Sequence, residues 1–155
     1  MALGFGGSTT GNASMALTAL VQRLSNTRPL VEKMTERSAA SQQKNIDESH
    51  SPAGDAYPPL ADSTKAGRGF GHPYGDLPLK DSGDMYGSIQ AHAELQSETS
   101  GWAGPDEMVA PYFAYQNQGA PRAGIPVRQF IGISADDTTG WQDDVHQFAA
   151  HAVGG

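Results

Sequence analysis

Ile125-Pro126-Val127-Arg128-Gln129-Phe130-Ile131-Gly132-Ile133-Ser134 leads within two residues into the acidic pair Asp136-Asp137. A plain core strand does not carry a proline and an arginine in an apolar run. Pro126 removes a ladder donor, and Arg128 alternates with Phe130. The pattern predicts an extended connector that feeds Phe130, Ile131 and Ile133 toward the core and leaves Pro126 and Arg128 at an edge or interface. For Arg128 an intrachain ion pair with Asp136-Asp137 is the competing reading. Ser134 and Asp137 then have the spacing of a capping box, with Asp in place of Glu. Trp141, Val145, Phe148, Ala149 and Ala152 repeat at helical intervals, which marks the best amphipathic helix in the chain. Asp143-Asp144 is expected on the polar side of that helix, and Asp136-Asp137 complements its dipole.

Upstream, Tyr112 to Gln118 lies between Pro111 and Gly119, the punctuation of a one- or two-turn helix. Tyr112, Phe113 and Tyr115 lack interleaved Lys or Arg, so packing is favoured over base stacking. Ile89, Ala91, Ala93 and Leu95 alternate with polar residues, the period of a half-buried strand, and Glu107 to Ala110 is the expected pairing partner. The Gly- and Pro-rich segment 50–81 reads as a long loop, of a length that usually binds something. At the front, Leu17, Leu20, Val21 and Leu24 form one helical face over 14–25. Pro29, Leu30, Val31 and Met34 begin a second helix that reaches about Asp47 and is polar over its second half, the usual mark of a solvated surface. Residues 1–13, rich in Gly, Ser and Thr, are expected to form a flexible arm ahead of a single domain over 14–155.

These elements predict an α+β fold: a small antiparallel sheet packed with N-terminal helices and a C-terminal amphipathic helix, plus the long loop. Composition limits how much such a fold buries. Of 155 residues only 25 are Leu, Ile, Val or Phe, whereas 21 are Ala. A core of small side chains buries little area, so stability is expected to be shared with neighbouring subunits. The formal charge of −7 with 10 basic residues argues against a surface that tracks phosphates. With no cysteine, disulfides and thiolate metal sites are excluded and an intracellular origin is favoured. The start lacks the pattern of a secretory signal, and no apolar run approaches the 18 residues that span a bilayer.

Catalytic patterns are sparse. The five histidines, at 50, 72, 92, 146 and 151, show no zinc-enzyme spacing. His146 and His151 lie roughly 140° apart around one helix and so cannot share an ion. Gly67-Arg68-Gly69-Phe70-Gly71 lacks the strand, Lys-Ser/Thr and helix of a phosphate loop. No catalytic residue, metal ligand or cofactor site is assigned.

Five motifs in chain order carry a resemblance. Leu20-Val21-Gln22-Arg23-Leu24 through Arg28-Pro29-Leu30 is similar to an opening helix pair. His50-Ser51-Pro52-Ala53-Gly54-Asp55-Ala56-Tyr57-Pro58-Pro59-Leu60 resembles a Pro-x-Gly-x-x-Trp-x-x-Leu segment, with Tyr57 in place of Trp. Leu79-Lys80-Asp81-Ser82-Gly83-Asp84-Met85 resembles a Leu-x-Asp-Thr-Gly-x-Leu turn, with Ser82 standing for Thr. Tyr112-Phe113-Ala114-Tyr115-Gln116-Asn117-Gln118-Gly119 is similar to a Tyr-Ala-x-x-x-Gln-x-Gly patch, shifted by one residue. Finally, 125–132 resembles Ile-Pro-Ala-Arg-Pro-Phe-Leu-Gly.

Together they resemble the tail-completion or virion morphogenesis proteins of tailed phages, especially Mu-like ones. Tyr57, Gln129 and the stretch 120–124 depart from the pattern. The resemblance implies a structural virion protein, found in the neck or tail end after assembly in the host cytoplasm. It implies a homo-oligomeric ring, hexameric in expectation, that joins heads to tails or completes the tail beside other neck, head-completion or terminator proteins. DNA would pass through without specific binding, and no enzyme activity or membrane is involved. Pro126, Arg128, Phe130, Tyr112, Tyr115 and Asp81 are the expected interface residues. A capsid or tail decoration protein, or a small hydrolase using His92 or His146, is the alternative.

Overall fold

The structure is a computed structural model and describes residues 9–91 and 93–154. The fold is α+β, with helices α1 (Thr9–Ser25), α2 (Arg28–Asp47), α3 (Asp62–Arg68) and α4 (Asp84–Ala91), a hairpin of β1 (Glu94–Ser97) and β2 (Ser100–Trp102), and helices α5 (Phe113–Gln118) and α6 (Ala135–Gly154). Of the expected arm, residues 1–8 lie outside the described residues and 9–13 are already helical.

Helix α2 is the hub: α4, α6 and both strands pack on it, while α1 packs on α6. The polar second half of α2, expected on a solvated surface, is instead its most buried part, with Ala39, Gln42, Asn45 and Ile46 inside. The reason lies in the loops around it. Irregular segments bring carbonyls that no ladder pairs, and a buried unpaired carbonyl is costly. Gln42 donates to the Ala103 carbonyl (2.8 Å) and Asn45 to that of Phe130 (3.2 Å), both in irregular segments, while Gln43 donates to the carbonyl of Tyr86 within α4 (3.1 Å).

The strand expected from Ile89 begins later. Residues 84–91 are helical because Met85, Ser88 and Ile89, at i, i+3 and i+4, all turn inward. The partner of β1 is β2, reached through a tight turn, with Glu94 opposite Trp102 and Leu95 opposite Gly101. Glu107 to Ala110, expected to pair there, forms a turn closed by the Ala110 amide on the Asp106 carbonyl. Gly101 lies so close to α2 that a Cβ would sit 2.0 Å from the Thr35 hydroxyl, so only glycine fits.

The connector 125–134 is extended but joins no sheet. Phe130 is fully buried with Ala39, Ile46, Tyr57, Met85, Ile89 and Ala110, and Ile131 packs on that cluster. Ile133, expected to face the core, is 63% exposed. The capping box forms as predicted. The Asp137 amide donates to Ser134 Oγ (3.0 Å) and the Ser134 amide to Asp137 Oδ2 (2.8 Å).

Helix α6 turns inward the face its apolar residues predict, with Ala152 buried and Trp141, Phe148 and Ala149 partly covered, except at one position. Val145 is exposed, whereas Asp144 is buried, with Arg37 donating from Nε (2.8 Å) and Nη2 (3.0 Å) and Lys33 Nζ at 2.8 Å. Two cations on α2 satisfy a carboxylate that sequence pattern assigns to the solvated side. Helix α1 departs most from expectation: Leu17 (62%), Val21 (58%) and Leu24 (42%) remain exposed, and of the expected face only Leu20 is partly covered.

Candidate functional site

Four of the expected interface residues, Asp81, Tyr112, Pro126 and Arg128, line one open groove of about 910 Å³. Its construction starts at Gly119, whose φ of 76° ends α5 in a conformation that suits glycine and whose Cα lies against Val127. Residues 120–125 then form a small loop closed by reciprocal backbone bonds between Ala120 and Ile125. This returns the chain antiparallel to α5. The Arg128 amide donates to the Gln116 carbonyl (2.9 Å), and Asn117 Oδ1 accepts from the amides of both Phe130 and Ile131 (3.0 Å each).

Arg128 is 6% exposed. Its Nε donates to the Pro58 carbonyl and its Nη2 to the Pro59 carbonyl, both at 3.0 Å, with Gln116 Oε1 at 3.5 Å. Proline carbonyls in an irregular segment have no ladder partner, and a forked guanidinium satisfies two at once. Burial lowers the Arg128 pKa from its ordinary value, yet a guanidinium stays charged. Neither sequence reading of Arg128 matches this arrangement. It is neither exposed at an edge nor paired with Asp136-Asp137, but ties segment 58–59 to the connector. Phe130 is likewise consumed by the core, and the Tyr57 hydroxyl donates to the neighbouring Gln129 carbonyl (3.2 Å).

The opposite wall comes from α3 and from the turn before α4. Arg68 Nη1 donates to the carbonyls of Gly75 (2.8 Å) and Leu77 (3.0 Å), holding the loop in place. Its Nε lies 3.3 Å from Asp81 Oδ1, an ion pair that lacks hydrogen-bond geometry, and His72 Nε2 is at the same distance from that oxygen. Asp81 itself is largely exposed. Burial raises the Tyr112 pKa, and the charges of Asp84 and Asp81 add to the effect. Tyr112 is nonetheless partly exposed on the rim, while Tyr115, also exposed, lies outside the groove.

The groove is lined by two arginines, Arg68 and Arg128, and two aspartates, Asp81 and Asp84. Both arginines in its walls are held by carbonyls of the chain itself, and the exposed rim presents Asp81, Asp84 and Tyr112. His146 and His151 lie on α6, away from the groove, and His92 falls outside the described residues. Among the described residues no group of three His, Cys, Asp or Glu side chains is placed to hold a metal ion. Among them, too, no helix is long and apolar enough to cross a membrane. Sequence reading missed Arg68, Val109 and Gln116 as groove residues. An arginine between Gly67 and Gly69 was the available signal, since a long side chain in a glycine-rich loop is well placed to bond loop carbonyls.

No curated protein and no solved structure matches the chain. A family model matches residues 9–149, which include every motif of the sequence resemblance, and the chain therefore belongs to the phage virion morphogenesis family.

Proposed function

We propose that this virion assembly protein is a neck or tail-end subunit, that it works as a homo-oligomeric ring needed for head–tail joining or tail completion, and that the groove beneath Arg128 receives the neighbouring virion protein. The observation that carries this reading is the convergence of Asp81, Tyr112, Pro126 and Arg128 on one open groove whose two arginines are held by carbonyls of the chain. A site whose guanidinium groups are committed to main-chain carbonyls and whose rim is acidic and aromatic suits docking of a polar protein segment. Membership in a structural and assembly family supports the same role. The net charge of −7 favours passage of DNA through such a ring without adhesion.

The test uses Tyr112→Ala and Asp81→Lys, both on the exposed rim. Tyr112→Ala is expected to keep the wild-type melting temperature, and Asp81→Lys, which replaces the ion pair with Arg68 by a like charge, to lower it slightly. Supplied in trans to a phage lacking the gene, each is expected to lower infectious yield and leave heads and tails separate in electron micrographs. Wild-type yield from both variants would refute the docking role of the groove.

A further inference from the structure

The exposed face of α1 and a second, apolar groove on the same chain are complementary, and we infer that α1 of one copy docks into that groove on the next copy. The contact deepens the ring reading and rests on it.

Leu17, Val21 and Leu24 are spaced by four and three residues, so they form one stripe along α1. Helix α1 lies on α6, where Arg23 Nη1 donates to the Ala152 carbonyl (3.4 Å), and the stripe is left uncovered. Arg23 is the sole charged residue in α1. A helix this poor in charge, with an apolar stripe in water, gains little from propensity and needs a packing partner. The three side chains expose on the order of 300 Å², the size of the largest apolar patch on a typical monomer.

The groove, about 430 Å³, lies between α2, the hairpin and the start of α6, with apolar walls from Val31, Met34, Trp102, Ile131, Ile133 and Trp141. Asp137 is the one ionisable residue in its lining. That carboxylate is buried and turned toward Ser41 and Ser134, each donating through Oγ (2.8 and 2.7 Å), so covering the groove strands no charge. Anchors at i, i+4 and i+7 are the pattern by which a helix enters such a groove. The Asp81-rimmed groove, with its polar walls, lacks this match.

Stripe and groove lie toward opposite ends of α6, near Ala152 and Trp141 respectively, about 16 Å apart at the helical rise per residue. Two different patches that fit each other make a heterologous, head-to-tail contact, the kind that closes into a ring. One such contact is smaller than a standard stable interface, so it relies on ring closure, in which every copy makes it twice.

The chain contains no cysteine, which makes disulfide trapping direct. Val21→Cys and Ile133→Cys both change exposed side chains and leave the core intact. Under mild oxidation, the double variant is expected to give a ladder of covalent multimers ending in one closed species. The two single variants, mixed, are expected to stop at two covalently linked chains, and each alone to form no covalent multimer. Self-crosslinking of Val21→Cys alone would show two-fold α1 pairing and overturn the inference, as would absence of crosslinks in both the mixture and the double variant. A ladder that grows without a terminal species keeps the contact and refutes the ring. Ring assembly that survives Val21→Glu keeps the ring and refutes the contact.

Discussion

Arg128→Ala separates a fold role from a partner role. The substitution removes two charge-assisted hydrogen bonds of 3.0 Å and leaves the carbonyls of Pro58 and Pro59 without a donor. Hydrogen bonds to charged groups contribute about 1.5–3 kcal/mol each. The neighbouring groove admits water to the freed carbonyls, and removal of a buried guanidinium relieves its desolvation, so the net loss falls to about 2–3 kcal/mol. For a chain of this size that corresponds to a fall in melting temperature of roughly 5–10 °C. Arg128→Lys retains the charge but cannot fork to two carbonyls and is expected to lose about half as much. Arg128→Met keeps the stem and loses both bonds, so it should resemble Ala once stem packing is allowed for. Differential scanning calorimetry of the three variants checks the order. A melting temperature for Arg128→Ala within 1 °C of wild type would refute the claim that the guanidinium holds segment 58–59 to the connector. Any loss of particle yield in that variant should then be recovered at lower temperature, whereas the loss in Tyr112→Ala should not.

Two further substitutions probe α6. Asp144→Asn weakens the buried carboxylate's bonds with Arg37 and Lys33 and is expected to cost about 2 kcal/mol at neutral pH, read by urea denaturation. The Arg37 hydrogen bond, opposed by burial and aided by Lys33, holds the Asp144 pKa below its ordinary value of 3.8. A depressed carboxyl contributes stability that is complete above its unfolded pKa and is lost as pH falls through the folded one. The gap between wild type and Asp144→Asn should therefore be constant near neutrality and narrow below about pH 4; a gap that widens in acid would contradict the pairing. Ser134→Ala removes the capping hydroxyl and is expected to cost about 1 kcal/mol in the same assay, with no change in assembly.

The elements with local causes were readable from the chain. Pro29 and the apolar spacing after it define α2, Ser134 and Asp137 close a capping box within four residues, and Pro111 and Gly119 bracket α5. Each rests on bonds or backbone preferences between near neighbours, as do the motifs that point to the family. Part of the groove was also legible, because Asp81, Tyr112, Pro126 and Arg128 fall in those motifs.

What the tertiary structure alone decided concerns polar groups whose partners are distant in sequence. The polar half of α2 reads as solvated, yet Gln42, Gln43 and Asn45 are needed by carbonyls 43 to 85 residues away. Asp144 reads as a surface acid until Lys33 and Arg37, more than 100 residues earlier, are placed beside it. Arg128 reads as an edge residue because no local pattern reveals that two consecutive proline carbonyls lie within its reach. The converse error is α1, whose apolar face has the periodicity of a buried helix, yet Leu17, Val21 and Leu24 stay exposed among the described residues. Periodicity reports that a face avoids water; which surface covers it depends on contacts that periodicity does not specify.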